Sequence, residues 1–246
     1  MRRLTAVIFD VDGTLVDSER DGHRVAFNAA FAEAGLPDRW DVDTYGQLLA
    51  ITGGAHRLAH WFENTGRSPA ESWDLAQRLH RRKTAIMRDM VSEGQIQPRP
   101  GAVALIDRLR SRGIRLHVAT TGSRAWVAPL LAHTFGAVFD TIVTGTEVPQ
   151  LKPHPAVYQD VLERTGLLPE QAVAVEDSAN GVRAAVAAGL RCVAAQNSYT
   201  RTHDLSEAQL VADGLDDPEL VTWFERHLRD TTISHSPGRR ARSSPA

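Results

Sequence analysis

The stretch AVIFDVDGT, residues 6–14, decides how the rest of this chain is interpreted. Four apolar residues before a glycine-containing turn are typical of a buried parallel strand, and open α/β sheets place their ligand sites where such strands end. Asp10 and Asp12 alternate with Val11, so in an extended backbone both carboxylates leave on the same side. Close carboxylates repel, and a bound cation or a raised pKa on one of them relieves the repulsion. The stretch therefore predicts a cation site with a nucleophile and a proton shuttle, although Asp12-Gly13 alone is also an ordinary turn signal.

The composition excludes several classes of protein. The chain has 246 residues, 42% hydrophobic and 24% charged, which is ordinary for a globular protein with a substantial core. A formal net charge of −2 argues against a nucleic-acid binder. No stretch approaches the roughly 20 apolar residues that span a bilayer. We expect a cytoplasmic monomer with no nucleic-acid or membrane partner. The single cysteine, Cys192, excludes an internal disulfide and is predicted to pack as a small apolar residue.

Residues 19–95 are predicted to form an all-helical insert. Helical patterns follow one another without a strand between them, at about residues 17–35, 41–50, 54–64 and 68–94. The last of these begins with Ser68-Pro69-Ala70-Glu71, a capping box with proline at the first helical position. Because the insert interrupts the chain after the first strand, we expect it to lie as a cap over the carboxyl edge of the sheet.

Strands and helices alternate after residue 96. Strand patterns lie at 115–119, near 141–143, at 172–175 and at 191–195, and helical patterns lie between them at 101–112, 155–165 and 179–188. This spacing predicts βαβ units and a parallel sheet. The predicted fold is α/β, a Rossmann-like parallel sheet core flanked by helices, formed by residues 1–18 and 96–230 and interrupted by the cap. Residues 231–246 are rich in Ser, Pro and Arg and are predicted to be a disordered tail.

Three more loops carry polar side chains at predicted strand ends. The first is Thr120-Thr121-Gly122-Ser123, whose hydroxyl and N–H groups lead into a helix and could bind an anion. The second contains Lys152, placed before Pro153 and positioned to enter a cleft at the strand ends. The third contains Glu176-Asp177, a second pair of acids. Oxygen ligands from two strand ends are what Mg²⁺ prefers.

Together these motifs resemble the haloacid dehalogenase superfamily of Mg²⁺-dependent phosphotransferases, over residues from about 5 to 220. Their order is Asp-x-Asp-Gly-Thr, Thr-Gly, Lys-Pro and Glu-Asp. The resemblance implies that Asp10 is the nucleophile and forms an aspartyl-phosphate. It implies that Asp12 acts as general acid and then as general base. True dehalogenases lack an acid at the position of Asp12, so dehalogenation is disfavoured.

The resemblance also assigns the remaining catalytic and metal-binding roles. Thr120 or Thr121 would bind the transferring phosphoryl group, and Lys152 would neutralise its charge. The metal would be held by Asp10, by the backbone carbonyl of Asp12, by Asp177 and, directly or through water, by Glu176. These roles agree with the chemistry, because a metaphosphate-like transition state spreads negative charge over its equatorial oxygens.

The position of the helical insert resembles one branch of the superfamily. That branch contains β-phosphoglucomutase, phosphoglycolate phosphatase and the CbbY-type phosphatases that hydrolyse xylulose 1,5-bisphosphate, and the insert looks closest to the CbbY type. Gly122 and Ala55 stand where the CbbY-type pattern carries Thr and Lys. A second phosphate would need cations from the cap, for which Arg57, Arg81 and Lys83 are candidates. By resemblance the substrate-binding residues are Thr14, Glu19, Tyr45, Gly53, Gly54, Arg57, His80, Lys83, Thr121, Gly122, Ser123 and Arg124.

The sequence therefore predicts a Mg²⁺-dependent phosphatase of a small phosphorylated sugar, with xylulose 1,5-bisphosphate as a candidate substrate. The alternatives are a β-phosphoglucomutase-type phosphomutase, a phosphoglycolate phosphatase and a non-catalytic phospho-acceptor or binding module. The last is disfavoured because Asp10, Asp12, Lys152 and Asp177 are all present.

Other conspicuous side chains are predicted to be structural. His56 and His60 lie four residues apart, but no third ligand accompanies them, so a metal site there is disfavoured. Trp61, Trp73 and Trp126 are predicted to pack in the core or the cap. Gly13 and the segment near Asp17 are predicted hinge positions, at which the cap could close over substrate and exclude water.

Overall fold

A computed structural model describes residues 4–229 of the chain. Its six strands form one sheet in which all neighbouring strands are parallel, confirming the predicted fold class. The strands are β1 (Ala6–Phe9), β2 (Arg115–Ala119), β3 (Thr141–Val143), β4 (Ala172–Glu176), β5 (Arg191–Ala195) and β6 (Leu210–Ala212). Their spatial order is β3-β2-β1-β4-β5-β6, so β1 is central and buried on both faces. Phe9, the last residue of β1, pairs with Val118 and Val175, so the three central strands end at one edge.

Nine helices lie around and above this sheet in the part of the chain that the structure describes. They are α1 (Arg24–Glu33), α2 (Val42–Leu48), α3 (Gly54–Asn64), α4 (Pro69–Ser92), α5 (Ala102–Ser111), α6 (Arg124–Phe135), α7 (Ala156–Thr165), α8 (Ala179–Ala187) and α9 (Pro218–Arg229). None of these helices in residues 4–229 has the length and apolar content needed to cross a membrane.

The sheet is covered on both faces because its side chains alternate. Val7 and Phe9 of β1 belong to one apolar cluster, which α5, α6 and α9 complete. Ala6 and Ile8 belong to the other, which α7 and α8 complete. Cys192 is buried in this second cluster as a free thiol, as predicted.

The first four helices form an apolar core of their own. Phe27, Phe31, Trp40 and Phe62 pack there, with ring centroids of neighbouring aromatic residues 4.9–6.2 Å apart. This separate core supports the proposal that residues 19–95 form a cap domain. The last turns of α4 are an exception, since Met87, Met90 and Val91 belong to the apolar cluster of the sheet.

Some helices and strands match the pattern of the sequence, and others were not predicted. Ser68 and Glu71 form the predicted capping box at the start of α4. The first cap helix begins with a π-helical turn at Glu19–His23, which the sequence pattern did not indicate. Sequence analysis also names neither β6 nor α9, although Leu220, Phe224 and Leu228 recur at helical spacing and are buried. The predicted tail at 231–246 lies outside the described residues.

The two segments that join the cap to the sheet run side by side. Val16 makes isolated β-bridges to Asp12 and to Pro98, and the backbone N–H of Arg99 donates to the carbonyl of Leu15 at 2.9 Å. The predicted hinge near Gly13 and Asp17 therefore lies in a hydrogen-bonded pair of segments. Its movement stays a prediction.

Candidate active site

The carboxyl ends of β1 and β4 bring four charged side chains into contact. Nζ of Lys152 donates to Oδ1 of Asp10 and to Oε1 of Glu176, both at 2.6 Å, and to the carbonyl of Ala119 at 2.9 Å. One carboxylate oxygen from each of Asp10, Glu176 and Asp177 lies within 4.8 Å of the other two. All four side chains are buried. The parallel register predicted this meeting, because β1 and β4 are neighbours that end together.

Electrostatics at this cluster favour an additional cation. Burial raises the pKa of Asp177 to about 8, and the neighbouring Glu176 carboxylate adds to the shift. Burial also raises the pKa of Asp10 well above its ordinary value, even though Lys152 opposes the shift. Lys152 itself has a raised pKa, because Asp10 and Glu176 outweigh the lowering effect of its burial. Three buried carboxylates beside one ammonium group leave excess negative charge, so the donor set fits a divalent cation.

Both carboxylate oxygens of Glu176 accept hydrogen bonds, which hold the side chain in place. Its Oε1 accepts a hydrogen bond from the hydroxyl of Tyr158 at 2.7 Å, in addition to the one from Lys152. Its Oε2 accepts from the backbone N–H of Asp177 at 3.2 Å. A methyl group built on Gly181, in the first turn of α8, would overlap with this carboxylate. Tyr158 and Gly181 were not predicted, since neither belongs to a motif and only their contacts with Glu176 mark them.

The carboxylate of Asp12 lies against the cap. Its Oδ1 accepts a short hydrogen bond from Ser18 Oγ and lies 2.9 Å from Nε2 of His23. Nδ1 of the same imidazole lies 2.8 Å from Nζ of Lys83. An ammonium group can only donate, so Nδ1 accepts the proton of Lys83 and Nε2 donates to Asp12. Ser18 and His23 were missed by the sequence analysis.

This chain of polar groups changes two pKa values. Burial by itself would raise the pKa of Asp12, but electrostatic attraction and a hydrogen bond from Nε2–H of His23, together with the hydrogen bond from Ser18, lower it below the ordinary value. Burial lowers the pKa of Lys83 to about 8, against the opposing effect of Asp12 and Glu19. The ammonium group also lies 4.8 Å from the ring centroid of Phe27.

A second polar chain lies on the other side of the cleft. The buried hydroxyl of Tyr45 donates a short hydrogen bond to Glu19 Oε2. Arg57 donates from Nη1 to the Tyr45 oxygen at 2.9 Å and from Nε to the carbonyl of Leu48 at 3.0 Å. Within residues 4–229 no ion pair to a carboxylate is found for Arg57, which is buried. Its charge is therefore available to an anion.

Two cavities of about 350 and 320 Å³ form the cleft between the sheet edge and the cap. The first lies over Asp10 and Lys152, and the second over His80 and Lys83. Residues that line both are Asp12, Glu19, Gly53, Arg57 and Thr121. Of the other predicted residues, Asp177 lines the first cavity, and Gly54, Gly122 and Ser123 line the second.

Three predicted site residues do not line the cleft: Thr14 and Tyr45, predicted to bind substrate, and Thr120, predicted to be catalytic. Thr14 is fully buried, and its hydroxyl donates to Asp177 Oδ1 at 3.3 Å. Thr120 is also fully buried, and its hydroxyl accepts from the N–H of Gly122 at 3.1 Å. Tyr45 acts through Glu19 and Arg57 and lines neither cavity. The polar groups of these three residues form hydrogen bonds within the protein, so they hold neighbouring site residues in place and do not face the cavities.

Arg124, a substrate-binding residue by resemblance, lies away from the cleft. Its side chain is half exposed and pairs with Glu147 at 3.0 Å, and it lines neither cavity. As the first residue of α6 it leaves the helix on the solvent side. Arg81 is likewise exposed and lines neither cavity, so Arg57 and Lys83 are the candidate cap cations that the cleft contains.

His80 and Gly122 both line the second cavity, where neighbouring groups constrain them. His80 lines the second cavity, but burial and the nearby Lys83 lower its pKa to about 4, so the imidazole is neutral near pH 7. A methyl group built on Gly122 would lie 2.6 Å from Cζ2 of Trp126 and 2.8 Å from Cγ2 of Val127. The ring of Trp126 therefore occupies the space that a larger residue at position 122 would need.

The three tryptophans have different environments. Trp126 is buried in the core, and Trp61 donates to Asp38 at 2.8 Å in the cap, in agreement with the packing predicted for them. Trp73 differs, because it is 40% exposed and lines the second cavity. Its ring packs on His56 with centroids 5.3 Å apart, while His60 contacts Asn64 at 2.9 Å. The two histidines thus have separate partners.

Comparison with known proteins agrees with this geometry. The sequence model of haloacid dehalogenase-like hydrolases matches residues 4–189. The chain belongs to this family of hydrolases. It is 44% identical to Protein CbbY of Rhodobacter capsulatus over 209 residues, which cover 83% of this chain and 91% of the relative.

Two further relatives extend the comparison. The chain is 30% identical to Phosphoglycolate phosphatase 1 of Pseudomonas aeruginosa, over 95% of this chain and 86% of the relative. Among solved structures it is similar to a mutant of CbbY from Rhodobacter sphaeroides in complex with xylulose-(1,5)bisphosphate. That similarity has a TM-score of 0.77 at 38% identity and covers 86% of this chain and 95% of the other.

Proposed function

We propose that this protein is a Mg²⁺-dependent phosphatase that hydrolyses a sugar bisphosphate, with xylulose 1,5-bisphosphate as the candidate substrate, through an aspartyl-phosphate on Asp10. One observation carries the proposal. The buried carboxylate of Asp10 lies 2.6 Å from Lys152 at one end of a cleft whose other end holds the ammonium of Lys83, and the guanidinium of Arg57 lines the cleft between them. The phosphatase and CbbY relatives support it.

Asp10 is positioned to act as the nucleophile. Lys152 binds its Oδ1, so Oδ2 is the oxygen free to attack phosphorus. The new Oδ2–P bond forms as the bond from phosphorus to the sugar oxygen breaks. A divalent cation held by Asp10 and Asp177, with Glu176 and the carbonyl of Asp12 in support, would stabilise the charge on the phosphoryl oxygens. Lys152 contributes a second, permanent positive charge there.

Asp12 is positioned to move the proton. It would protonate the departing sugar oxygen and then take a proton from the water that hydrolyses the aspartyl-phosphate, each worth about 10² to 10⁴ in rate. His23 and Ser18 hold its carboxylate and lower its pKa in the free protein. A phosphate dianion in the cleft raises that pKa, because like charges disfavour the ionised form. Substrate binding thus helps to supply the acid that the first step needs.

The second cavity is suited to the phosphate that does not react. Arg57 and Lys83 are buried cations there, and among the described residues neither donates a hydrogen bond to a carboxylate. A buried cation that has no carboxylate in direct contact is costly, and an anionic ligand reduces that cost. A monophosphate would leave this end of the cleft unfilled, so the geometry favours a bisphosphate.

The test is phosphate release with and without Mg²⁺ from xylulose 1,5-bisphosphate, β-glucose 1-phosphate and phosphoglycolate, with Asp10→Asn as the control. We expect release that requires Mg²⁺ and Asp10 and that is fastest, by kcat/KM, for the bisphosphate. Preference for phosphoglycolate would contradict the proposed substrate but would be consistent with the proposed aspartyl-phosphate mechanism. Conversion of β-glucose 1-phosphate to an isomer without phosphate release would instead establish a phosphomutase. A folded Asp10→Asn protein with appreciable activity would refute the mechanism.

A further inference from the structure

Asn197 connects two of the loops that build the candidate metal site. It follows β5, at the same edge of the sheet as Asp10 and Asp177, and lines the first cavity. Its Nδ2 donates to Oδ2 of Asp177 at 2.6 Å and to the backbone carbonyl of Gly13 at 3.1 Å. One side-chain amide thus joins the loop after β1 to the loop after β4.

The amide of Asn197 is held in place by its own loop. Its Oδ1 accepts from the backbone N–H of Tyr199, and its backbone N–H donates to the hydroxyl of Thr200, each at 2.9 Å. The guanidinium of Arg99 donates to the carbonyl of Gln196 at 2.5 Å and to that of Ala195 at 3.1 Å. The donor therefore reaches Asp177 from a fixed position, and little side-chain entropy is lost in forming the bond.

Gly13 shows how closely the three loops approach. Its φ is +79°, a conformation that L side chains rarely adopt. A methyl group there would overlap with Asp177 Oδ2 and would lie 2.8 Å from Nδ2 of Asn197. Gly13, Asp177 and Asn197 are therefore packed closely together, and a side chain at position 13 would disturb the hydrogen bond between Asn197 and Asp177.

Asp177 has few other groups to fix its orientation. Its Oδ1 accepts one long hydrogen bond, at 3.3 Å, from Thr14. The buried Glu176 carboxylate beside it repels it. Removing the amide of Asn197 would leave Oδ2 without its short hydrogen bond, and the carboxylate would be free to rotate. Metal affinity depends on such supporting contacts, because a ligand that must be reoriented binds less tightly.

We propose that Asn197 is a positioning residue for the metal site, which fixes the carboxylate of Asp177 in the orientation that binds the divalent cation. The inference rests on the proposed function, in which Asp177 is a metal ligand. Asn197 itself contacts neither the cation nor the substrate in this scheme. Its effect should therefore appear in metal affinity and be overcome by excess metal.

The experiment measures Mg²⁺ binding to the full-length protein by isothermal titration calorimetry, without substrate. The variants are Asn197→Ala and Asn197→Ser; the serine hydroxyl can still accept from the N–H of Tyr199 but is too short to reach Asp177. The matched control is Asn180→Ala, which removes an amide from the same cavity, where it donates to Thr52 Oγ1 at 3.0 Å. Urea denaturation confirms that each variant is folded.

We expect both Asn197 variants to bind Mg²⁺ about 10- to 100-fold more weakly, the range for loss of a contact that supports a metal ligand. Asn180→Ala should bind within twofold of the parent chain. At saturating Mg²⁺ the Asn197 variants should regain most of kcat, with the KM for substrate unchanged. A folded Asn197→Ser protein with unchanged Mg²⁺ affinity would overturn the inference and leave the proposed function intact. A parent chain that binds no Mg²⁺ would overturn both.

Discussion

The imidazole of His23, in the first turn of the cap, lies 2.9 Å from the carboxylate of Asp12, on the loop after the first strand of the sheet. The cap therefore contributes directly to the environment of the proposed general acid and base. The same ring accepts a hydrogen bond from Lys83, so a cap lysine and a core aspartate are linked through one histidine. Movement of the cap would break this link.

Replacement of His23 by alanine should move the pH dependence of the reaction. His23 lowers the pKa of Asp12, so His23→Ala should raise it. Because Asp12 must be protonated in the step that kcat/KM reports, the alkaline limb of the kcat/KM profile should move to higher pH. We expect kcat/KM at neutral pH to fall about 10- to 100-fold, as for loss of a positioning contact. The control is His60→Ala, an exposed cap histidine. An unchanged alkaline limb in a folded His23→Ala protein would contradict the role given to this contact.

Lys83 should make substrate affinity depend on pH in the alkaline range. Burial lowers its pKa to about 8, so the ammonium group loses its charge as the pH rises through 8. We expect the KM for a sugar bisphosphate to rise above about pH 8 and the KM for phosphoglycolate to change less. Lys83→Met should show a high KM at every pH. Arg81→Met, which alters an exposed neighbour, is the matched control, and equal effects of the two variants would show that Lys83 does not bind the second phosphate.

Gly181→Ala should destabilise the protein, although alanine normally stabilises a helix by about 1 kcal/mol relative to glycine. The added methyl group would overlap with the carboxylate of Glu176, which is fixed by Lys152 and Tyr158. We expect a loss of about 1–3 kcal/mol in the free energy of unfolding, typical of an overpacked core, together with a loss of activity. Urea denaturation measures the first effect. Ala187→Ser, at an exposed position of the same helix, should change stability by less than about 0.5 kcal/mol. Stability of Gly181→Ala equal to that of the parent chain would mean that Glu176 can move aside.

His117 should make the protein less stable in mild acid. It lies in β2, is buried, and neither ring nitrogen has a hydrogen-bond partner among the described residues. Burial lowers its pKa to about 4, below the ordinary 6.5, so the unfolded chain binds the proton first as the pH falls. The free energy of unfolding should therefore decrease as the pH falls from 6.5 toward 4.

His117→Leu should remove this contribution, because leucine fills a similar apolar space without titrating. Denaturation in urea at pH 7 and pH 5 measures it, with His154→Leu, an exposed residue, as the control. We expect a smaller difference between the two pH values for His117→Leu only. The pKa of His80 is also lowered to about 4, so His80 contributes to the pH dependence of the free energy of unfolding in every variant.

Most of the helices and strands could be predicted from the sequence, because the apolar patterns and caps that mark them are local. The strand at Arg115–Ala119, the helix at Gly54–Asn64 and the strand at Arg191–Ala195 lie where their apolar patterns placed them. The capping box at Ser68 was recognisable because its two members are three residues apart. The π-helical turn at Glu19–His23 was not, since it carries no such spacing signal.

Local pattern by itself determined the class of the protein and the position of its chemistry. Acids and a lysine that follow buried parallel strands must meet at one sheet edge, because β1 ends beside β2 and β4. Asp10, Lys152, Glu176 and Asp177 therefore come together.

Only the tertiary structure decided which side chains surround them. His23, Tyr158 and Asn197 lie 11, 18 and 20 residues from the acids that they contact, and nothing in their own sequence neighbourhoods marks them. Asn197 also binds the carbonyl of Gly13, which is 184 residues away. The same holds for Arg124, which belongs to a predicted loop but leaves it toward solvent. A motif fixes which residues stand at a strand end, whereas the direction of a side chain and the partners that fix it depend on packing between segments far apart in the chain.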